Sequence, residues 1–152
     1  MSSPEQRLAE LGLAVPEVAA PVAAYVPAVR SGSHIFTSGQ LPMREGKLIQ
    51  TGKVGGEVTS DEAVECARQC ALNALAAVRA EVGELSQVRR IVKVVVFVAS
   101  TPDFTGQPQV ANGVSELLGQ MFGDAGRHAR SAVGVPVLPL DAPVEVELLV
   151  EV

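Results

Sequence analysis

A chain of 152 residues with 47% hydrophobic side chains has the apolar mass for one compact domain and too little length for two. Seventeen acidic against twelve basic side chains, a formal net charge of −5, leave no broad positive field, so nonspecific capture of nucleic acid is not expected. No apolar run approaches the roughly 20 residues that span a bilayer, and the polar start "MSSPEQRLAELGL" lacks a signal peptide's apolar stretch; a soluble, cytoplasmic protein is expected.

That start reads as a short helix, with Ser3 as cap, Pro4 in the first turn, Gln6 closing a capping box and Gly12 as the stop. Residues 25–30, "YVPAVR", and 34–40, "HIFTSGQ", flank "SGS" and predict a hairpin, and a weak strand around Lys47 to Gln50 follows the turn signal Glu45-Gly46. Thr59 and Glu62 form a second capping box, and Val64, Ala67, Ala71, Leu75, Val78 and Val82 recur at helical spacing up to Gly83. Cys66 and Cys70 lie on this helix beside Ala63, Ala67 and Ala74. They read as small buried residues, because a zinc site wants about four ligands and His34 and His128 are far off. The nearly continuous apolar run 90–100, "RIVKVVVFVAS", suits a strand covered on both faces. A second amphipathic helix carries Val110, Val114, Leu117, Leu118 and Met121, and two closing strands flank "LPLDAP". The order ββ(β)αβαββ predicts an α+β sandwich, one mixed sheet with two helices on one face. Its other face would be a large apolar surface, and self-association as a ring of three or as a dimer would cover it.

Read with period two, the closing strands place Val133, Val135 and Val137 on the core side, with Arg130, Ala132 and Gly134 opposite. Val144, Val146, Leu148 and Val150 likewise leave Glu145, Glu147 and Glu151 opposite, so Arg130 and Glu145 are both expected on the side away from the helices. The small Ala132 and Gly134 leave room beside a guanidinium that could receive a carboxylate with two parallel bonds; a surface or interface salt bridge fits the same pattern. If the two strands form a tight hairpin centred on Leu140-Asp141, Arg130 and Glu145 end up about 20 Å apart. They would then meet only by nonadjacent pairing, by a bulge or across a subunit boundary. "GKLIQTGKVGG" is no phosphate loop, because five residues separate Gly46 from Gly52 and Val54 stands where Ser or Thr is required. There is no nucleophile elbow or metal-ligating helix, and one Tyr, four Phe and no Trp make no base-stacking surface. His34 reads as structural and His128 as a candidate for the rim of a site.

Four ordered blocks carry a family resemblance: "AAYVPAV", "FTSGQLP", "VKVVVFVASTPDF" and "ARSAVGVPVLPLDAPVEVE". They resemble the YjgF/RidA family from about residue 20 to the end, and the helical start, "TGKVGG" and "HARSAVGV" resemble its longer subgroup, labelled endoribonuclease L-PSP or chorismate-mutase-like. The resemblance implies a helical extension over 1–19 and a single domain over 20–152 with the chorismate-mutase-like fold. It also implies a homotrimer with sites in the clefts between subunits.

The family's best-described activity is hydrolysis of 2-imino acids to 2-oxo acids and ammonia, with no cofactor and no metal. By resemblance Arg130 holds the substrate carboxylate and Glu145 positions the attacking water, while Tyr25, Ser38, Gly39 and Asn112 line the cleft. Ala132 replaces a cysteine common after Arg-Ser and Gly134 replaces a common glutamate. The first can spare a backbone N–H contact to the ligand, and together they are expected to enlarge the pocket. Three functions follow in order of expectation: an imine or enamine deaminase, a carboxylate-binding or regulatory trimer using the same arginine, and an endoribonuclease, against which the acidic composition weighs.

Overall fold

The computed structural model describes residues 2–20 and 24–152; residues 21–23, just inside the start of the expected domain, lie outside them. Helix α1 (Pro4–Glu10) is followed by β1 (Ala28–Ser31), β2 (His34–Thr37), β3 (Met43–Arg44), β4 (Lys47–Leu48) and α2 (Ser60–Val82). Then come β5 (Arg90–Ala99), α3 (Gln107–Phe122), β6 (Ala129–Val135) and β7 (Val144–Glu151), with short 3-10 turns between several of them. The fold is the expected α+β sandwich: one mixed sheet in the order β1-β2-β7-β5-β6, with α2 and α3 packed on one face.

Both predicted capping boxes form. Ser3 and Gln6 satisfy each other's backbone N–H at the start of α1, and Thr59 and Glu62 do the same for α2. The Glu62 carboxyl is held below its ordinary pKa chiefly by the Thr59 backbone N–H it accepts. Leu8 of α1 is fully buried in the main core, and Arg7 donates to the Met121 carbonyl at 3.1 Å, which ties the first helix to α3. On α2, Cys66 and Cys70 are fully buried; burial pushes the Cys66 thiol up to about 12 and Cys70 upward as well. Both therefore stay protonated and unreactive. Two further α2 residues, Gln69 and Asn73, are buried polar groups with a structural task. Asn73 donates to the carbonyls of Leu41 (2.9 Å) and Met43 (3.0 Å), and Gln69 accepts from Arg44 Nε at 3.1 Å, which clamps the small β3-β4 hairpin to the helix.

The sheet departs from the expected register at its end. β6 and β7 are not a hairpin, because β5 lies between them, parallel to β6 and antiparallel to β7. The 3-10 turn at Pro139–Asp141 carries the chain across β5 instead of folding it straight back. The central strand thus has neighbours on both edges, but the expected cover on both faces is not met within one chain: its helix side is buried, while Val95 and Phe97 on the other face are only partly buried. β6 becomes an edge strand, and this reverses the expected placement of Arg130. Arg130 is level with Val94 of β5, and Val94 is level with Leu148 of β7. Val94 and Leu148 are buried under the helices, so Arg130, Ala132 and Gly134 face α3. Val133 is level with Phe97 and Glu145 on the opposite, uncovered face. The valine side of β6 misled the period-two reading because the uncovered face is itself apolar: Val29, Phe36 and Val133 are all exposed on it. Among the described residues no helix is long and apolar enough to cross a membrane.

Candidate functional site

Arg130 and Glu145 are on opposite faces of the sheet and two strands apart. The level difference between Val94 and Phe97 adds three residues along the strand, which places their Cα positions about 14 Å apart. The other expected site residues divide between them, so the chain carries two separate half-sites.

The first half-site surrounds Arg130 at the edge of the sheet. Its Nη1 donates to Asn112 Oδ1 at 2.8 Å and to Ser115 Oγ at 3.1 Å, both on α3. These two acceptors use both Nη1 protons. The fork formed by Nε and Nη2 carries no partner among the described residues, and neither of the two ion pairs found there, Lys53–Asp141 and Arg89–Glu151, includes Arg130. A carboxylate approaching that edge would meet two parallel N–H groups. Behind it, Ser115 Oγ lies 2.8 Å from His128 Nε2, and His128 Nδ1 lies 2.6 Å from the Gly126 carbonyl. Ala132 follows on the same face. At Gly134 the expected open room is taken: an added Cβ would sit 2.8 Å from Gln107 Nε2 and 2.9 Å from Ser100 Oγ. Gln107 itself is braced on the Phe104 carbonyl at 2.8 Å. The loss of a side chain at 134 therefore admits two polar side chains of this protein and does not simply enlarge the pocket.

The second half-site is a cleft of about 990 Å³ on the other side of the chain, lined by Tyr25, Ser38, Gly39 and Glu145 together with Val18, Leu41 and other residues. Ser38 Oγ donates to the Val26 carbonyl at 2.6 Å, and its backbone N–H bonds Pro27 at 2.8 Å, so Ser38 fixes the Tyr25 segment against the end of β2. Gly39 has a different task. An added Cβ there would lie 2.7 Å from Glu145 Oε1 and 2.8 Å from Cδ, so only a residue without a side chain lets the carboxylate rest against this backbone. Glu145 is half-buried, and burial, followed by the nearby Glu147, raises its pKa above the ordinary value.

Reading the sequence missed Ser115 and Gln107. Ser115 was within reach of the reasoning, since it is three residues beyond Asn112 on a predicted helix and so shares its face. Gln107 was not, because only the close approach of α3 to β6 brings it beside Gly134. Among the described residues no three His, Cys, Asp or Glu side chains cluster as metal ligands would.

Comparison with known proteins places this arrangement in a wider group. A family model described as "YjgF/chorismate mutase-like, putative endoribonuclease" matches residues 5–152. The chain is 47% identical over 145 residues to Protein TCP17 of Trypanosoma cruzi, covering 95% of this chain and 91% of that one. It is 31% identical over 138 residues to a 2-iminobutanoate/2-iminopropanoate deaminase of Dermatophagoides farinae, covering 91% and 93%. A solved structure of a protein of unknown function from Agrobacterium tumefaciens superposes with a TM-score of 0.91 at 45% identity, covering 98% of this chain and 91% of that one. With the family model spanning nearly the whole chain and the sheet, helices and resembling blocks all in order, the protein belongs to the YjgF/RidA family and has its chorismate-mutase-like fold.

Proposed function

We propose that the protein hydrolyses reactive 2-imino acids to 2-oxo acids and ammonia at sites formed between copies of the chain. The observation that carries this reading is Glu145: a half-buried carboxylate resting against Gly39 at the floor of a cleft, bonded to none of the other described residues. That is a base with a free acceptor, suited to hold a water molecule. The anion-holding fork of Arg130 faces the opposite way, so one chain cannot present both groups to one small substrate. A homotrimer, closed by rotation so that each edge strand β6 meets the uncovered face of the next subunit, would bring one copy's Arg130 to another copy's Glu145. It would also cover Val29, Phe36 and Val133.

In such a site the substrate carboxylate binds across Nε and Nη2 of Arg130, which fixes the position of C2. The imine is protonated and already electrophilic, so water held by Glu145 attacks C2 while the carboxylate takes up the water proton. Returning that proton to nitrogen makes ammonia the leaving group; the C–N bond breaks as the C2 hydroxyl gives its proton to Glu145 and becomes the carbonyl, and that proton leaves with ammonia as ammonium. One water is consumed, and one 2-oxo acid and one ammonium are released.

The direct experiment is an ammonia-release assay on 2-iminopropanoate and on bulkier imino acids generated in place by an amino-acid oxidase. Acceptance of side chains of leucine or phenylalanine size would show that the assembled site keeps much of the cleft's room beyond a three-carbon acid. Sedimentation should give a mass three times 15.8 kDa, and a stable monomer at micromolar concentration would remove the composite site. A finer test uses Gly39→Ala: its methyl group must displace Glu145, so turnover should fall about tenfold or more, with the melting temperature changed much less. Full turnover in that variant would mean that the seat of the carboxylate is irrelevant to the chemistry.

A second reading rests on one observation: the Arg130 fork is complete on a single chain without Glu145. A trimer that binds carboxylates and releases no ammonia would establish a binding protein. An endoribonuclease would require the acidic surface to hold a polyanion.

A further inference from the structure

The Arg130 half-site contains more than an anion fork and the asparagine expected beside it. Ser115 and His128 form a chain behind the guanidinium whose proton positions follow from its acceptors when the imidazole is neutral. The Gly126 carbonyl can only accept, so His128 Nδ1, 2.6 Å away, must carry the proton. In the neutral ring Nε2 is then bare, so the Ser115 hydroxyl, 2.8 Å away, donates to it. Its proton being directed there, Ser115 Oγ turns lone pairs toward Arg130 Nη1 at 3.1 Å. Asn112 Oδ1 accepts from the same nitrogen at 2.8 Å, and with both Nη1 protons held the guanidinium plane can no longer rotate freely.

We infer that Ser115 and His128 are positioning residues: a relay from Gly126 through His128 and Ser115 holds Arg130 Nη1, so that the Nε and Nη2 edge stands ready for a carboxylate before one arrives. The inference rests on the reading that Arg130 receives the substrate carboxylate. It adds two residues whose effect passes through the arginine and not through any contact of their own with the substrate. Its energetic content is preorganisation, since a guanidinium already held in one plane loses less rotational freedom on binding.

The test uses the full chain, benzoate as the carboxylate probe and the best imine as substrate. Wild type, Arg130→Lys, Ser115→Ala, Ser115→Thr and His128→Phe are compared for benzoate Kd, KM and kcat. Ser115→Ala should weaken benzoate and raise KM by about tenfold with kcat nearly unchanged. His128→Phe should move in the same direction by a smaller factor, and Ser115→Thr, which keeps the hydroxyl, should restore most of the affinity. If Arg130→Lys loses benzoate while Ser115→Ala and His128→Phe bind as wild type does, the relay is wrong and the anion reading stands. If wild type binds no benzoate, or Arg130→Lys binds it equally well, the anion reading fails and the relay with it. A measurement on the unaltered protein guards against variants that do not fold: nitrogen NMR of the neutral form of His128 should show a protonated Nδ1 and a bare Nε2. The opposite tautomer would overturn the relay directly.

Discussion

Glu145→Gln is expected to lower turnover by roughly 10²- to 10⁴-fold, the usual contribution of a positioned general base, while benzoate or product affinity stays close to that of wild type. Glutamine keeps the shape and one acceptor oxygen against Gly39 but cannot take up a proton from water. The same carboxylate sets the pH dependence. Burial, with Glu147 second, raises its pKa, so wild-type activity should climb as pH rises through that raised value. In Glu145→Gln this limb should vanish. Stability runs the other way: a group whose pKa is raised by folding favours the folded state most below its unfolded pKa, and that contribution is lost as pH rises through the folded value. At neutral pH the buried charge is a cost, and Glu145→Gln should melt no lower than wild type. Melting curves and turnover against pH for both proteins test the two signs together. Retention of full turnover by the glutamine variant would leave the glutamate without a catalytic role.

Arg130→Lys should fail at binding. The ammonium keeps the charge but is a point donor on a flexible stem, and it cannot reach Asn112 and Ser115 with one face while offering two parallel N–H groups from another. Loss of a bidentate contact to an anion, together with the ordering behind it, should raise KM and weaken product affinity by roughly 10- to 100-fold. Turnover at saturation should fall less, because in the proposed assembly the attacked carbon is reached by a water held on a different copy of the chain. Steady-state kinetics with a direct binding measurement separate the two variants: KM carries most of the loss for Arg130→Lys and kcat for Glu145→Gln. Equal losses of kcat in both would argue that the arginine acts on the transition state alone.

The layout of elements was largely legible from local signals. Two capping boxes, a helical stripe ending at Gly83 and the apolar run of β5 each depend on near neighbours in the chain, and each is found where those neighbours put it. The pairing of the last two strands was not legible. Seven residues and eight residues around a turn look the same whether they pair with each other or on either side of a third strand. The side to which Arg130 points was lost for a related reason. Alternation shows that Val133 and Arg130 face opposite ways, but a sheet with one face open has apolar residues on both. Only the level of Val94 with both Arg130 and Leu148 decides between them. For the site, residue types and family resemblance supplied the names, and the division into two half-sites came from topology.

That division has a consequence for how the molecule is built. The arginine half-site is closed by bonds spanning 18 and 15 residues, inside one strand-helix-strand unit of contiguous chain. The glutamate half-site needs β2 beside β7, a join marked by the Thr37 hydroxyl accepting from Leu148 N–H across 111 residues. Closing the longer loop costs more entropy before any contact rewards it. During refolding the anion fork should therefore take shape early and locally, whereas the seat of the glutamate waits for the strand that returns from the far end of the chain.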